Sequence, residues 1–445
     1  MFVRLMLLAC LLLWLRPVFA VEPASAPALS ADGQKNLIGW FDAADAASLV
    51  MDGDRIATWK DRSGQGHDLS QEDAAARPRR VVSPTGTWVQ GGRMMAKGVA
   101  ATLPDMTIYA AVKVAPDYSP IIAFRTDNRA EFCAAGWTIG ARPTLFSGGS
   151  STDGNTEIED NQWHVLTFVR KGAERAFYLD GVEMGRPTGK DAPCEMTDLL
   201  LFAYSNAAEF HGSLAELLIY GAAQAPAQVS EVNQYLLRKW SALLPNPASD
   251  LVCFVGNSMT TGMYCGNGKT WSCQAAGKVP GLTRWYNISK GGITTQGLAA
   301  LAATSIDPLL KRGTGRSVLV LWEGTNDLCV NQSDAAAAAE ALKQFCLARR
   351  AAGWRKILIL TVLPRQTGPT FEPRRIALNQ LLRDACKDYA DGLVDVAAIP
   401  EMGAAGNELN KDYYADGVHL TAGGNGLVAD AVAPALSKLL PLRAD

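Results

Sequence analysis

The chain is poor in the features that mark several protein classes. It carries almost no excess charge: 42 basic against 44 acidic residues leave a net charge of −2. With no long run of either sign, nucleic acid and anionic membranes are not expected as partners. Histidine is scarce, with only His67, His164, His211 and His419 in 445 residues. No CxxC pair and no Cys/His cluster at zinc-ligand spacing occurs, so a structural metal is not expected. Long apolar runs are missing except at the start, MFVRLMLLACLLLWLRPVFA. There Arg4 precedes an apolar stretch from Leu5 to Leu15, too short for the roughly 20 residues that span a bilayer, and Ala20 closes it. This reads as a secretory signal over residues 1–20. Apolar residues continue past Cys10, which argues against a lipoprotein cleavage site. The expectation is an extracytoplasmic protein, secreted or periplasmic, with no membrane span after signal removal.

Removing the signal leaves eight cysteines, an even number suited to an oxidising compartment. Cys133 and Cys194 are expected to pair in the N-terminal half. Cys265 and Cys273 bracket a short glycine-rich loop, Cys346 and Cys386 lie on successive predicted helices, and Cys253 reads as a buried strand thiol. The spacing leaves the connectivity of the rest open.

What is present is enough apolar residue, 48% of the chain, for two or three cored domains. From about Asn36 to Tyr220 the apolar period is two. TIYAAVKV puts Ile108, Ala110, Val112 and Val114 on one face, and HVLTFVR repeats the pattern. In RAFYLDGVEMG, Asp180-Gly181 between two apolar arms predicts a tight hairpin. An antiparallel sandwich follows, and an amphipathic helix in PAQVSEVNQYLLRKW, where Val229, Val232, Leu236 and Trp240 recur at helical spacing, is expected to pack back on the sheet. LPNPASD is a stiff linker. Beyond it the period changes: LVCFV, SVLVLW, KILILTV and LVDV are continuous apolar runs separated by helical stretches. That pattern predicts a parallel sheet with crossover helices. The expected organisation is a signal at 1–20, an all-β domain at 34–240, a linker at 241–249 and an α/β domain at 250–445.

Open parallel sheets bind ligands beyond the carboxyl ends of their strands, and four polar blocks fall there or just before helices. FVGNSMTTG sets Ser258 after the first strand, NISKGGITTQ carries Gly292, GTND carries Asn326, and YADGVHLTAGG sets Asp416 three residues before His419. A serine hydroxyl needs a base to remove its proton, and the base needs a carboxylate to fix its tautomer. Only His419 of the four histidines lies in this half, so activation of Ser258 within the domain falls to His419, oriented by Asp416. The N–H groups of Ser258 and Gly292 and the side-chain amide of Asn326 supply a three-donor oxyanion hole. Each residue also has a structural alternative: Ser258 as a helix cap, Asn326 and Gly292 as turn residues. Asp327 reads as a structural partner of its loop. Arg365, in VLPRQ, either reaches an anionic substrate group or is simply solvated.

The blocks GNS, NxSxxG, GTND and DGVH, in this order, resemble the SGNH (GDSL-type) hydrolase family over about Asp250 to Pro441. The resemblance implies a flavodoxin-like three-layer fold and a cofactor-free serine ester hydrolase. Position by position it implies Ser258 as nucleophile, His419 as base, Asp416 as its orienting acid, and Ser258, Gly292 and Asn326 as oxyanion donors. One departure stands out: most members read GDS, whereas this chain has Asn257 before the serine. GWFDAAD, TWKDRSGQGHDL and FHGSLAELLIYGAA are similar to concanavalin A-like, laminin-G-type jelly rolls over about Gln34 to Trp240. Such domains bind glycans or serve as spacers. Trp40, Trp59 and Trp88 as a sugar platform and Asp42 and Asp45 as calcium ligands are both weighed against packing and turn roles. The function expected is a secreted ester hydrolase acting on an acylated small molecule or polysaccharide, a carbohydrate O-acetylesterase or a related short-chain carboxylesterase. A lipase or thioesterase, and a glycan-binding protein with a decayed hydrolase domain, are the competing readings.

Overall fold

The computed structural model describes residues 36–113, 120–125, 133–138, 142–147, 150–153, 162–191, 193–202, 212–265 and 268–441. Residues 1–20, where a signal is expected, and His211 lie outside the described residues.

The N-terminal part is an antiparallel β-sandwich. Its central strands are β1 (Asp105–Lys113), β2 (Trp163–Lys171) and β5 (Ser213–Tyr220), with β1 paired antiparallel to both others. The period-two pattern sends Ile108, Ala110 and Val112 into the sandwich core with Phe168, Leu217 and Ile219. The opposite face carries the helix that the amphipathic pattern predicts. Tyr109, Ala111, Val165 and Leu218 pack there against Val229, Val232 and Leu236 of α1 (Pro226–Lys239). The helix covers the sheet, so both faces bury side chains.

Strands β3 (Glu174–Leu179) and β4 (Val182–Gly185) form the hairpin around Asp180-Gly181. Both turn residues have positive φ, 49° and 76°, the twist that two-residue hairpins require. The Asp180 carboxylate is buried, accepting from the Val165 N–H at 2.8 Å and contacting His164 Nδ1 at 3.0 Å. Two groups of the C-terminal part reach the same carboxylate: the Tyr286 hydroxyl donates to it at 2.9 Å, and Arg312 pairs with it at 3.3 Å. One hairpin residue therefore ties the sandwich to the second domain.

The C-terminal part is a five-stranded parallel sheet: β6 (Leu251–Gly256), β7 (Trp285–Ser289), β8 (Ser317–Trp322), β9 (Lys356–Leu360) and β10 (Gly392–Val394). Their spatial order is β7-β6-β8-β9-β10. Strand β7 is not among the continuous apolar runs of the sequence, because polar Asn287 and Ser289 interrupt it. Alternate residues of β6, Cys253 and Val255, face Leu342, Phe345, Leu378 and Leu382 of α4 (Ala335–Ala352) and α5 (Phe371–Ala385). Val252 and Phe254 face Trp271 and, on α6 (Ala422–Leu439), Val428, Val432 and Leu436. Coverage on both sides explains the continuous apolar runs. The direction of strand order reverses at β6, which is where such sheets open a crevice at their carboxyl ends.

The disulfides suggested by the even cysteine count do not include Cys346 and Cys386. Cys346 and Cys386 lie on the packed pair α4 and α5 and its extension, yet both are free thiols, as are Cys253 and Cys329. Burial pushes the Cys346 thiol up to about 12 and raises Cys386 as well, so both resist forming the thiolate that disulfide exchange needs. The Cys133 side chain is outside the described residues. Cys253 is fully buried on its strand, and burial raises its thiol pKa.

Candidate active site

Strand β6 pairs in parallel register with both neighbours, Gly256 opposite Ser289 and Trp322. Ser258, Gly292 and Asn326 each follow these positions by two to four residues, so three adjacent strands deliver them to one edge of the sheet.

Ser258 opens the short helix α2 (Ser258–Thr261). Asn257 caps it, its Oδ1 accepting from the Met259 N–H at 3.0 Å, so the capping role falls to Asn257 and leaves the Ser258 hydroxyl free of it. Gly256 is needed for close approach: a Cβ there would collide with Thr260 Oγ1 and the Trp322 carbonyl. Asn287 braces the same helix from β7, donating to the Thr260 carbonyl at 2.8 Å.

Across the edge, His419 Nε2 lies 3.0 Å from Ser258 Oγ, and His419 Nδ1 lies 2.7 Å from Asp416 Oδ2. The other Asp416 oxygen accepts from the N–H groups of Val418 and His419 at 2.9 and 2.7 Å. Partial burial on its own raises the carboxyl, but these N–H groups and the imidazole outweigh it and hold Asp416 below the usual carboxylate range. It is therefore anionic at neutral pH, and Nδ1 carries the proton that faces it, leaving Nε2 to accept from Ser258.

Gly292 sits in an exposed turn with φ of 73°, and nothing crowds its α-carbon. Asn326, on α3 (Thr325–Cys329), is buried; its Nδ2 donates to the Ile293 carbonyl at 2.7 Å, and its Oδ1 accepts from Arg365 at 3.4 Å. The amide is thereby oriented, with one N–H left over. Asp327 takes the N–H and hydroxyl of Thr295, joining two loops. Arg365 is partly buried and lines a small cavity with Asn257, Glu323, Thr325 and Val418.

Two further residues at the site are not assigned by any sequence motif. Tyr264, with φ of 68° and 64% exposed, holds its ring 5.6 Å from the His419 ring. Glu323 is buried beneath the Ser258 turn, where Asn257 Nδ2 donates to it at 2.8 Å. A polar residue at the end of an apolar strand is a hint, but only the fold reveals what it faces. In the sandwich, Trp59 is core, and Trp40 donates to Glu216 while stacking under Arg62. Asp42 is taken by Arg62 and Lys239, which argues for a structural role rather than calcium ligation. Among the described residues, no group of three or more His, Cys, Asp or Glu side chains could hold a metal ion. Among them also, no helix is long and apolar enough to cross a membrane.

Residues 254–427 match the family model described as GDSL-like Lipase/Acylhydrolase family, and residues 99–230 match that of the Concanavalin A-like lectin/glucanases superfamily. The chain thus carries a GDSL-like lipase/acylhydrolase domain behind a concanavalin A-like domain. Among solved structures, a member of the lipolytic G-D-S-L family from Veillonella parvula is 18% identical, covering 44% of this chain and 100% of its own, with a TM-score of 0.35. Domain 4 of AbnA, an extracellular arabinanase of Geobacillus stearothermophilus, is 19% identical over 45% of this chain and 98% of its own, with a TM-score of 0.35. Neither likeness carries functional weight at that level. No curated protein matches the chain.

Proposed function

We propose that the protein is an exported serine ester hydrolase that removes O-acyl groups, acetyl foremost, from carbohydrate. Ser258, His419 and Asp416 form its catalytic triad, and Ser258, Gly292 and Asn326 its oxyanion hole. The observation that carries this reading is the unbroken hydrogen-bond chain from Ser258 Oγ through His419 to an anionic Asp416. Ser258 Oγ attacks the acyl carbonyl as its proton passes to His419 Nε2. The bond to the sugar oxygen breaks as Nε2 returns that proton to the leaving alkoxide, giving the acyl-enzyme. A water then attacks the acyl carbon, again through Nε2, and the acid departs. The N–H of Asn326 that remains unused, with those of Ser258 and Gly292, meets the oxyanion. The carbohydrate part of the reading is supported by the concanavalin A-like domain, which presents a lectin-type fold on the same chain.

Release of acetate from acetylated xylan and from p-nitrophenyl acetate tests it, with Ser258→Ala as the control. Loss of at least about 10³-fold in kcat is expected for that variant. Activity surviving the substitution would remove Ser258 as the nucleophile.

A further inference from the structure

We infer that Glu323 is a positioning residue for Ser258, and that Asn257 is its matched partner, an amide this chain requires where GDSL-type proteins carry aspartate. The inference rests on Ser258 being the nucleophile. Asn257 uses both ends of its side chain. Its Oδ1 holds the Met259 N–H of the helix that Ser258 opens, and its Nδ2 donates to Glu323 Oε1 at 2.8 Å. Glu323 Oε1 also accepts from the Gly324 N–H at 3.2 Å. Glu323 is 1% exposed, and its Oε2 has no partner among the described residues.

The groups facing this carboxyl give it little countercharge. Asp327 on α3 adds like charge, and Arg365, across the shared cavity, makes no ion pair with it among the described residues. Burial raises the Glu323 pKa well above the ordinary value, the Asn257 hydrogen bond opposes it, Asp327 adds to the rise and the Gly324 N–H opposes it least. An amide is therefore the right partner, since it donates without adding charge. Aspartate at 257 would still cap Met259, but its second oxygen would face Glu323 Oε1. The two carboxyls would then have to share a proton, and would repel once it is lost. Ser258, the next residue, would move with the turn.

The test uses the full mature chain and a fluorophosphonate probe, following the labelling rate of Ser258 between about pH 6 and pH 9, with thermal melting of the same samples. Asn257→Asp should label about tenfold more slowly than wild type at the alkaline end and recover toward acid pH. Adding Glu323→Gln to it should restore the rate to within about threefold across the range, because the glutamine amide now donates to the aspartate. Melting should follow the same order, the single variant losing more at alkaline pH and the double variant regaining it. If Asn257→Asp does not fold but the double variant folds and labels, the pairing stands. Wild-type labelling by the single variant, or a double variant no better than it, overturns the inference. A wild type that the probe does not label refutes Ser258 as nucleophile, and the melting series then still decides the pairing.

Discussion

Replacing Asp416 by asparagine isolates the role of the carboxylate. The amide oxygen of Asp416→Asn can keep the bonds from the Val418 and His419 N–H groups, so the loop is expected to hold. What changes is the contact 2.7 Å from His419 Nδ1. An amide NH₂ placed there makes Nδ1 an acceptor and shifts the imidazole proton to Nε2, where it faces the Ser258 hydroxyl and cannot receive its proton. In a buried triad such a change costs about 10⁴-fold in kcat. The Asp416 side chain is 40% exposed, so water shares the stabilisation of the imidazolium and a smaller effect follows. The expected loss is about 10² to 10³-fold in kcat, or about 2.7 to 4.1 kcal/mol, with KM changed less than about threefold. Steady-state hydrolysis of p-nitrophenyl acetate measures both, and a melting curve checks that the loop is intact. A kcat within about threefold of wild type would refute the assignment of Asp416 as the orienting acid.

Asp180→Ala should destabilise the protein by about 3 to 5 kcal/mol, because it strands Arg312 in the domain interface without its charge partner and removes the acceptor for Tyr286. Denaturant unfolding would report it, and a loss below about 1 kcal/mol would mean the hairpin does not tie the domains together. Glu323 has a folded pKa above its ordinary value of 4.5, so the folded state binds the proton more tightly than the unfolded chain. Its contribution is fully present below about pH 4.5 and is lost as pH rises through the raised pKa. Melting temperature should fall over that window, and Glu323→Gln should flatten the slope; an unchanged slope would show that Glu323 is not the titrating group.

The architecture was legible because each half has its own apolar period. Alternation in Thr107–Val114 marks a strand with one face inward, and the unbroken runs in β6, β8 and β9 mark strands covered on both sides. The amphipathic pattern of α1 predicts that it packs on the sheet, but not that Tyr109 and Ala111 are the residues it covers, because that depends on where the helix docks. For Cys346 and Cys386 the cysteine count misleads for a related reason: spacing counts thiols, whereas burial decides whether they can ionise and exchange.

For the site, the sequence by itself determined the residue types and their order. Ser258, Gly292, Asn326, Asp416 and His419 are readable because each follows a strand or precedes a helix, and because His419 has no rival histidine in its half. Only the tertiary structure decided what those residues face. The parallel register of β7, β6 and β8 gathers three loops at one edge. The fold brings His419 across 161 positions to Ser258, sets Tyr264 against its ring, and sinks Glu323 under Asn257. Local pattern specifies backbone conformation and which side is apolar. Hydrogen bonds between residues far apart in sequence exist only once packing has fixed the distances, and those bonds give Asn257 its meaning.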